Sequence, residues 1–322
     1  MLAIRFLVVA VSLFSAAAFS VSSPKTSAQL FASHADKMAA LSDDANAAVL
    51  TYLEINGWLL STGGTTILVD PILEGALDFG IPSIYRANKR TLPSKGLCEE
   101  LPTIDCVLIT QGLDDHAHIR TLKKLASILD RNLSVIAPPS ARGALEQCGF
   151  DATRSSNIRF IKPGGQLHIG DEGAVAIKAT TGALVGPPWQ ARENGYVIRT
   201  ASGPSIYIEP HVEYNLQELR NEAPVDILIT PVSGQGLPAL ELVHGPSDVL
   251  RLVQTLQPKY VVPMQNGDVD AEGLASSLVQ SIGSPNEFRR ILSKAQRTGV
   301  RKVEIIDTIP GKAIVLSTRT CR

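Results

Sequence analysis

The 322-residue sequence predicts an α/β fold, a four-layer αββα sandwich of two mixed β-sheets with helices on the outer faces. Two observations predict it. A β-rich stretch is followed by alternating strands and helices, and this order occurs twice along the chain. Hydrophobic residues make up 44% of the sequence, and no Pro/Ser-rich linker divides it after residue 45. The chain can therefore build one large core in one domain.

The strands are predicted from short runs rich in β-branched and apolar residues between turn signals. Gly63 and Gly64 are typical of a hairpin turn between two such runs, and the run 105–110 (DCVLIT) is apolar throughout, as in a buried strand. The predicted strands cover 49–55, 58–60, 66–69, 105–110, 133–137, 157–161, 166–169, 175–179, 196–199, 205–208, 226–230, 260–263, 302–306 and 313–316.

The helices are predicted from apolar residues at helical spacing, as in Leu122, Leu125 and Leu129. Gly149 is typical of the residue that ends a helix. The segment 75–101, which contains Pro82, Pro93 and Gly96, is predicted to be a long irregular loop. The predicted helices cover 121–129, 140–147, 214–221, 247–256, 272–281 and 286–297.

The N-terminus reads as two targeting segments before the folded domain. Residues 1–19 have an early Arg5, an apolar core and small residues, which is the layout of a cleaved signal peptide. Residues 20–45 begin with a Ser-rich stretch free of acidic residues, as in a transit segment. The pair is similar to the bipartite presequences of algae with secondary plastids, which predicts a plastid (chloroplast) location. A secreted protein is the alternative. The domain is then predicted at 46–322, without His34.

The composition excludes several classes of partner and chemistry. The 30 basic and 31 acidic residues are spread along the chain, so no nucleic-acid partner is predicted. The apolar part of the signal peptide is too short to span a bilayer, so no membrane anchor is expected after cleavage. Four cysteines without a C-x-x-C pair predict neither a disulfide framework nor a zinc ribbon. The oligomeric state stays open.

Four pieces of the sequence, in order, resemble the metallo-β-lactamase superfamily, and their layout is most similar to its UlaG-like branch. They are ILVDP (67–71), QGLDDHAH (111–118), SIYIEPH (205–211) and YVVPMQNGD (260–268). The second takes the place of the family motif H-x-H-x-D-H. The resemblance implies the αββα fold and a metal-dependent hydrolase that acts on sugar lactones and similar esters.

Most of the ligands that the resemblance implies are replaced. Gln111 and Leu113 stand where the motif has its first two His, and Gln265 stands where the family has its last His. The segment 180–186, which comes directly after the strand 175–179, contains no His, although the family has its third His there. Leu113 offers no donor, and a neutral amide is a poor zinc ligand. A two-metal hydrolase is therefore not predicted.

A reconfigured site with one metal ion is the leading hypothesis. Asp115 and His116 match the motif, and with His211 they are the predicted ligands, while His118 and Glu209 are the next candidates. Imidazole and carboxylate donors suit Zn, Fe or Mn. A metal-activated water would attack an ester, a lactone or a similar small substrate.

A free carboxylate would accept the proton of that water. Asp114 or Glu209 is predicted for this role, and Asp115, which matches the Asp of the family motif, is a further candidate. Asp70 is predicted to fix a turn or to orient the motif loop.

Two alternatives stay open. The losses at Gln111, Leu113 and Gln265 favour a catalytically inactive binding or scaffolding module without metal. Asp115 would then cap the following helix, since Asp is favoured at helix N-termini. A single-iron redox protein is the third reading, because His and carboxylate ligands also bind iron.

Overall fold

The fold is described from a computed structural model, which defines residues 27–40, 46–129, 133–153, 155–185, 189–238 and 240–318. The predicted signal peptide and Cys321 lie outside the described residues. Within them, no helix combines the length and the apolar character needed to cross a bilayer.

Nineteen strands form the sheets of the described chain. They are β1 (Ala47–Tyr52), β2 (Trp58–Thr62), β3 (Thr65–Val69), β4 (Arg86–Lys89), β5 (Cys106–Leu108), β6 (Ser134–Ala137), β7 (Ile158–Phe160), β8 (Gln166–Ile169), β9 (Val175–Thr181), β10 (Asn194–Thr200), β11 (Ile206–Ile208), β12 (Ile227–Pro231), β13 (Gly234–Leu237), β14 (Leu240–Val243), β15 (Tyr260–Met264), β16 (Val269–Glu272), β17 (Gln280–Ile282), β18 (Glu304–Ile305) and β19 (Ile314–Ser317).

Two seven-stranded mixed sheets form the centre of the molecule. The first has the order β19-β1-β2-β3-β5-β6-β7, and the second has the order β18-β15-β12-β11-β10-β9-β8. In the first sheet, β3, β5 and β6 run parallel, so the loops that follow them leave from the same edge. In the second sheet, β11, β12 and β15 are parallel in the same way.

Helices cover the outer face of each sheet. They are α1 (Ser27–Ala40), α2 (Ile119–Ile128), α3 (Arg142–Gln147), α4 (Leu216–Arg220), α5 (Pro246–Leu256) and α6 (Pro285–Arg297). Side chains alternate along each strand, so Leu60 and Ile67 pack between the two sheets while Leu59 and Leu68 pack under the helices. The predicted αββα sandwich is therefore confirmed.

Small sheets close one rim of the sandwich. The strands β4 and β16 pair with each other, and β13 pairs with both β14 and β17. Two predictions were wrong here. The loop predicted at 75–101 contains β4, and the helix predicted at 272–281 is replaced by strand β17 and a 3-10 turn at Ser276–Leu278. Pairing with distant strands overrides the weak local pattern of these segments.

The helix α1 lies in the segment that the sequence predicts as a transit peptide. Phe31 is buried in the outer core of the first sheet. The ring of His34 is also buried, with Nδ1 2.8 Å from Thr51 Oγ1 and Nε2 2.8 Å from Ser61 Oγ. Burial lowers the pKa of His34 to about 4, so the ring is neutral near pH 7. His34 therefore belongs to the packed structure, whatever the processing upstream of α1.

Candidate metal centre

Three loops at one rim of the sandwich supply the candidate site. Asp70 follows β3, the motif segment 111–118 follows β5, and the segment 209–211 follows β11 of the other sheet. Because β3 and β5 are parallel neighbours, their following loops lie side by side. The site therefore bridges the two sheets at their shared edge.

Asp115, His116 and His211 converge at this rim. One ligand atom of each lies within 4.8 Å of the other two, and all three side chains are buried. The ring centroids of His116 and His211 are 5.1 Å apart, and His116 Nε2 is 3.2 Å from Asp115 Oδ2. These are the three residues that the sequence analysis ranked first as ligands. Among the described residues, no other group of three His, Cys or acidic side chains meets the same spacing.

The ring of His116 is held from its far side by Asp70. His116 Nδ1 lies 2.8 Å from Asp70 Oδ2, and Thr110 donates to Asp70 from both its backbone N–H and its hydroxyl, at 2.8 and 2.5 Å. Asn56 Nδ2 lies 3.2 Å from His116 Nε2. This network assigns the proton to Nδ1 in the neutral ring, so that the lone pair of Nε2 lies on the side of Asn56 and Asp115. A carboxylate behind the imidazole is the usual support of a metal-ligating His.

The pKa values of the side chains at this centre depend on one another. Burial by itself would lower the pKa of His116, but the carboxylates of Asp115 and Asp70 raise it to about 10. Burial would raise the pKa of Asp115, yet the neighbouring His116 brings it below its usual value. Without metal, the centre is therefore an imidazolium held between two carboxylates. A metal ion bound at Nε2 must displace that proton.

The side chains present fit one metal ion. Asp115 Oδ1 is buried and has no hydrogen-bond partner. A buried carboxylate oxygen without a partner is costly, and a cation would remove that cost. Two imidazole nitrogens and one carboxylate oxygen are also a donor set that zinc, iron and manganese accept.

His118 and Glu209, the next predicted ligands, are not part of this group of three, although Glu209 Oε1 lies 3.7 Å from His211 Nδ1. His118 is the residue before α2, and its Nδ1 turns to Thr121 Oγ1 at 2.8 Å. Glu209 accepts the backbone N–H groups of His211 and Glu213 at 3.0 to 3.1 Å. Glu209 thus shapes the turn that carries His211.

Asp114, predicted as a proton acceptor, is also engaged elsewhere. Its Oδ1 accepts the backbone N–H of Ile119 at 2.9 Å, at the first residue of α2. Asp114, and not Asp115, therefore has the helix-capping role that the sequence analysis considered.

Comparison with known proteins agrees with the fold. Residues 49–265 match the family model described as the beta-lactamase superfamily domain. The chain belongs to the metallo-β-lactamase superfamily. The resemblance stated from the sequence is confirmed at this level, and the UlaG-like branch stays a prediction.

Individual relatives are distant. A UPF0173 metal-dependent hydrolase of Anaeromyxobacter sp. (strain K) is 24% identical over 280 residues, which is 82% of this chain and 85% of that protein. Igni18, a metallo hydrolase of the archaeon Ignicoccus hospitalis, has a TM-score of 0.57 at 17% identity and covers 85% of this chain and 100% of its own. CmlA, a diiron β-hydroxylase from Streptomyces venezuelae, has a TM-score of 0.59 at 17% identity, over 84% of this chain and 54% of its own.

At the positions where this chain departs from the superfamily motif, the side chain is neither an imidazole nor a carboxylate. Gln111 is buried, and neither atom of its amide has a hydrogen-bond partner. Leu113 is half-buried. Gln265 turns its amide towards the backbone oxygen of Thr308, at 3.5 Å. The described part of the loop after β9 has no His.

Sequence reasoning missed Glu193 and Asn56. Glu193 lies just before β10, is 4% exposed and interacts electrostatically with both His116 and His211. Asn56, in the turn between β1 and β2, also donates to the backbone oxygen of Asp115, at 3.0 Å. Neither residue belongs to a motif, so only the fold reveals their place.

Proposed function

We propose that this protein is a hydrolase that works with a single metal ion held by Asp115, His116 and His211. The observation that carries the proposal is the convergence of three buried ligand atoms within 4.8 Å. The bond from His116 to Asp70 supports it, because it fixes the ring with one nitrogen directed away from Asp70.

The substrate class is an ester, a lactone or a similar small molecule. The names of the relatives, a metal-dependent hydrolase and a metallo hydrolase, support hydrolysis as the reaction. A bound metal ion would supply Lewis acidity and would lower the pKa of a water molecule. The protein would hold the ligand set rigid through Asp70, Thr110 and Glu209, each already hydrogen-bonded.

Metal content and hydrolysis test this proposal together. The purified protein and a His116→Ala/His211→Ala double variant are incubated with zinc, iron or manganese, and bound metal is measured by mass spectrometry. Both are then assayed with p-nitrophenyl acetate and a sugar lactone. We expect one ion per chain and measurable hydrolysis in the wild type, and neither in the double variant.

A second candidate function is a binding module without catalysis. The unpartnered amide of Gln111 favours it, because this position has lost its ligand without gaining another structural role. A folded wild-type protein that takes up none of the three metals would establish this alternative and refute the hydrolase. A protein that binds metal but cleaves neither probe would retain the site and refute the substrate class.

A further inference from the structure

We propose that Glu193 is the acid–base residue of this centre, the group that accepts the proton of the attacking water and returns it to the leaving group. This inference rests on the proposed hydrolase function. It assigns the role to a residue outside all four segments that resemble the superfamily.

The fold holds Glu193 against the motif loop. The next residue, Asn194, donates its backbone N–H to the backbone oxygen of Thr110 at 3.1 Å, and Thr110 also contacts His116. Ser140 donates its hydroxyl to Glu193 Oε2 at 2.5 Å.

Ser140 is itself placed by the motif loop. A Cβ at Gly112 would lie only 2.5 Å from the backbone carbonyl of Ser140, so the two segments touch through the glycine. The carboxyl group of Glu193 is therefore held by Ser140, which packs against Gly112 of the ligand loop.

The charge environment of Glu193 suits proton transfer. Burial raises the pKa of Glu193, while the Ser140 hydroxyl and the neighbouring His116 and His211 lower it, and the net change is upward. A carboxyl group whose pKa is raised towards neutrality is an efficient general base and, once protonated, an efficient general acid. The contacts of Glu193 with Ser140 and of Asn194 with Thr110 place Glu193 beside the ligand loop, and its electrostatic interaction with both His residues is consistent with that position.

The other carboxylates of the rim are already engaged. Asp70 binds His116 and Thr110, Asp114 binds the start of α2, and Glu209 binds the turn of His211. Asp115 is the metal ligand of the proposed function. Glu193 is bound through Oε2 to a neutral hydroxyl, which leaves Oε1 for a proton.

The step balances without a further reactant. As the oxygen of water forms its bond to the carbonyl carbon of an ester, an O–H bond breaks and the proton moves to Glu193. When the C–O bond of the ester then breaks, Glu193 returns this proton to the departing alkoxide. The products are an acid and an alcohol, and the carboxylate of Glu193 is regenerated.

Glu193→Gln is the decisive variant, with Glu304→Gln as the matched control on an exposed Glu far from the rim. Each is loaded with cobalt(II), and bound cobalt and the visible spectrum are measured as a function of pH. The zinc-loaded proteins are assayed with p-nitrophenyl acetate over the same pH range. We expect Glu193→Gln to bind cobalt as the wild type does, to shift the pH midpoint of the spectrum, and to lose about 10²- to 10⁴-fold in kcat.

Ser140→Ala sharpens the test. Its hydroxyl lowers the pKa of Glu193, so its removal should move the acidic limb of the rate profile to higher pH while activity remains. If the wild type binds cobalt but does not cleave the ester, the pH midpoint of the cobalt spectrum is the only readout. Its shift in Glu193→Gln then decides whether Glu193 has an acid–base role.

Three results would overturn the inference. If Glu193→Gln keeps the wild-type spectrum, rate and pH profile, Glu193 has no acid–base role and the metal centre stands. If it loses cobalt, Glu193 is a ligand instead. If the wild type itself takes up no cobalt or zinc, the proposed function fails, and this inference fails with it.

Discussion

Two groups of residues at the same rim differ in whether their side chains can bind a metal ion. The retained corner consists of Asp115, His116 and His211, and the vacated corner consists of Gln111 and Leu113. Four of these five residues come from one short loop after β5. In the retained corner, His116 is fixed by Asp70, whereas in the vacated corner both polar atoms of Gln111 lack a partner.

This difference shows that the backbone of the loop after β5 is held in place although only some of the family's ligands are present. Its backbone is fixed by Thr110, which donates to Asp70, and by Gly112, which packs against Ser140. These contacts do not depend on a metal ion. Ligands can therefore be lost in one corner while the other corner stays ordered.

The third ligand of the retained corner comes from the second sheet. His211 follows β11, and its backbone N–H is bound by Glu209 at 3.1 Å. Gln265 follows β15 and turns to Thr308 instead. In the proposed centre, the ligand position at this rim is therefore at the end of β11 and not at the end of β15, because His211 can bind metal and Gln265 is bonded elsewhere.

The largest expected effect is the loss of metal from the retained corner. His211→Ala should reduce bound zinc from about one ion per chain to none, because two protein ligands do not hold zinc tightly. His168→Ala is the matched control, since His168 lies exposed on β8. Mass spectrometry measures the metal, and circular dichroism checks the fold. An unchanged zinc content in His211→Ala would remove this residue from the ligand set.

The next largest effect is the pH dependence of metal affinity. The metal must displace the proton of His116, whose pKa is raised to about 10 in the metal-free centre. Affinity should therefore rise with pH and fall about tenfold per unit below that value, or roughly 100-fold from pH 8 to pH 6. Competition with a chromophoric chelator at several pH values measures it. Affinity that does not vary between pH 6 and 8 would contradict ligation through His116.

Asp70→Asn should have a smaller effect on the same corner. The amide keeps the shape of Asp70 but weakens its bond to His116 Nδ1, so zinc affinity should fall roughly 10- to 100-fold. Asp105→Asn is the matched control, because Asp105 is exposed and binds the backbone N–H of Thr66 instead. The same chelator competition reports both variants. If the two Asn variants bind zinc equally well, Asp70 supports the turn rather than the ligand.

The smallest effect is expected in the vacated corner. Gln111→Leu removes a buried amide without partners, so the free energy of unfolding should rise by about 1 kcal/mol, with metal content unchanged. Thermal unfolding should show an increase of about 2–4 °C. Loss of zinc in this variant would show that the two corners are not independent.

The sequence was sufficient where a residue's role depends on strand order. Asp115, His116 and His211 could be placed at one rim because each follows a strand of the predicted sandwich. It was insufficient for His118, only two residues from His116, because the direction of a side chain in a turn depends on its local partners. His118 turns to Thr121. The residues 27–40 also read as a presequence, yet Phe31 and His34 pack into the domain.

The sequence by itself determined the αββα sandwich, the loss of four family His ligands and the candidates for a new ligand set, because periodicity and residue chemistry are local properties. Only the tertiary structure decided that Asp70 supports His116, that Glu209 shapes the turn of His211 and that Glu193 is held by Ser140 beside the ligand loop. These roles join residues that are from 2 (Glu209 and His211) to 77 (His116 and Glu193) positions apart in the sequence. Their contacts arise from sheet pairing and burial, which no single stretch of the sequence contains.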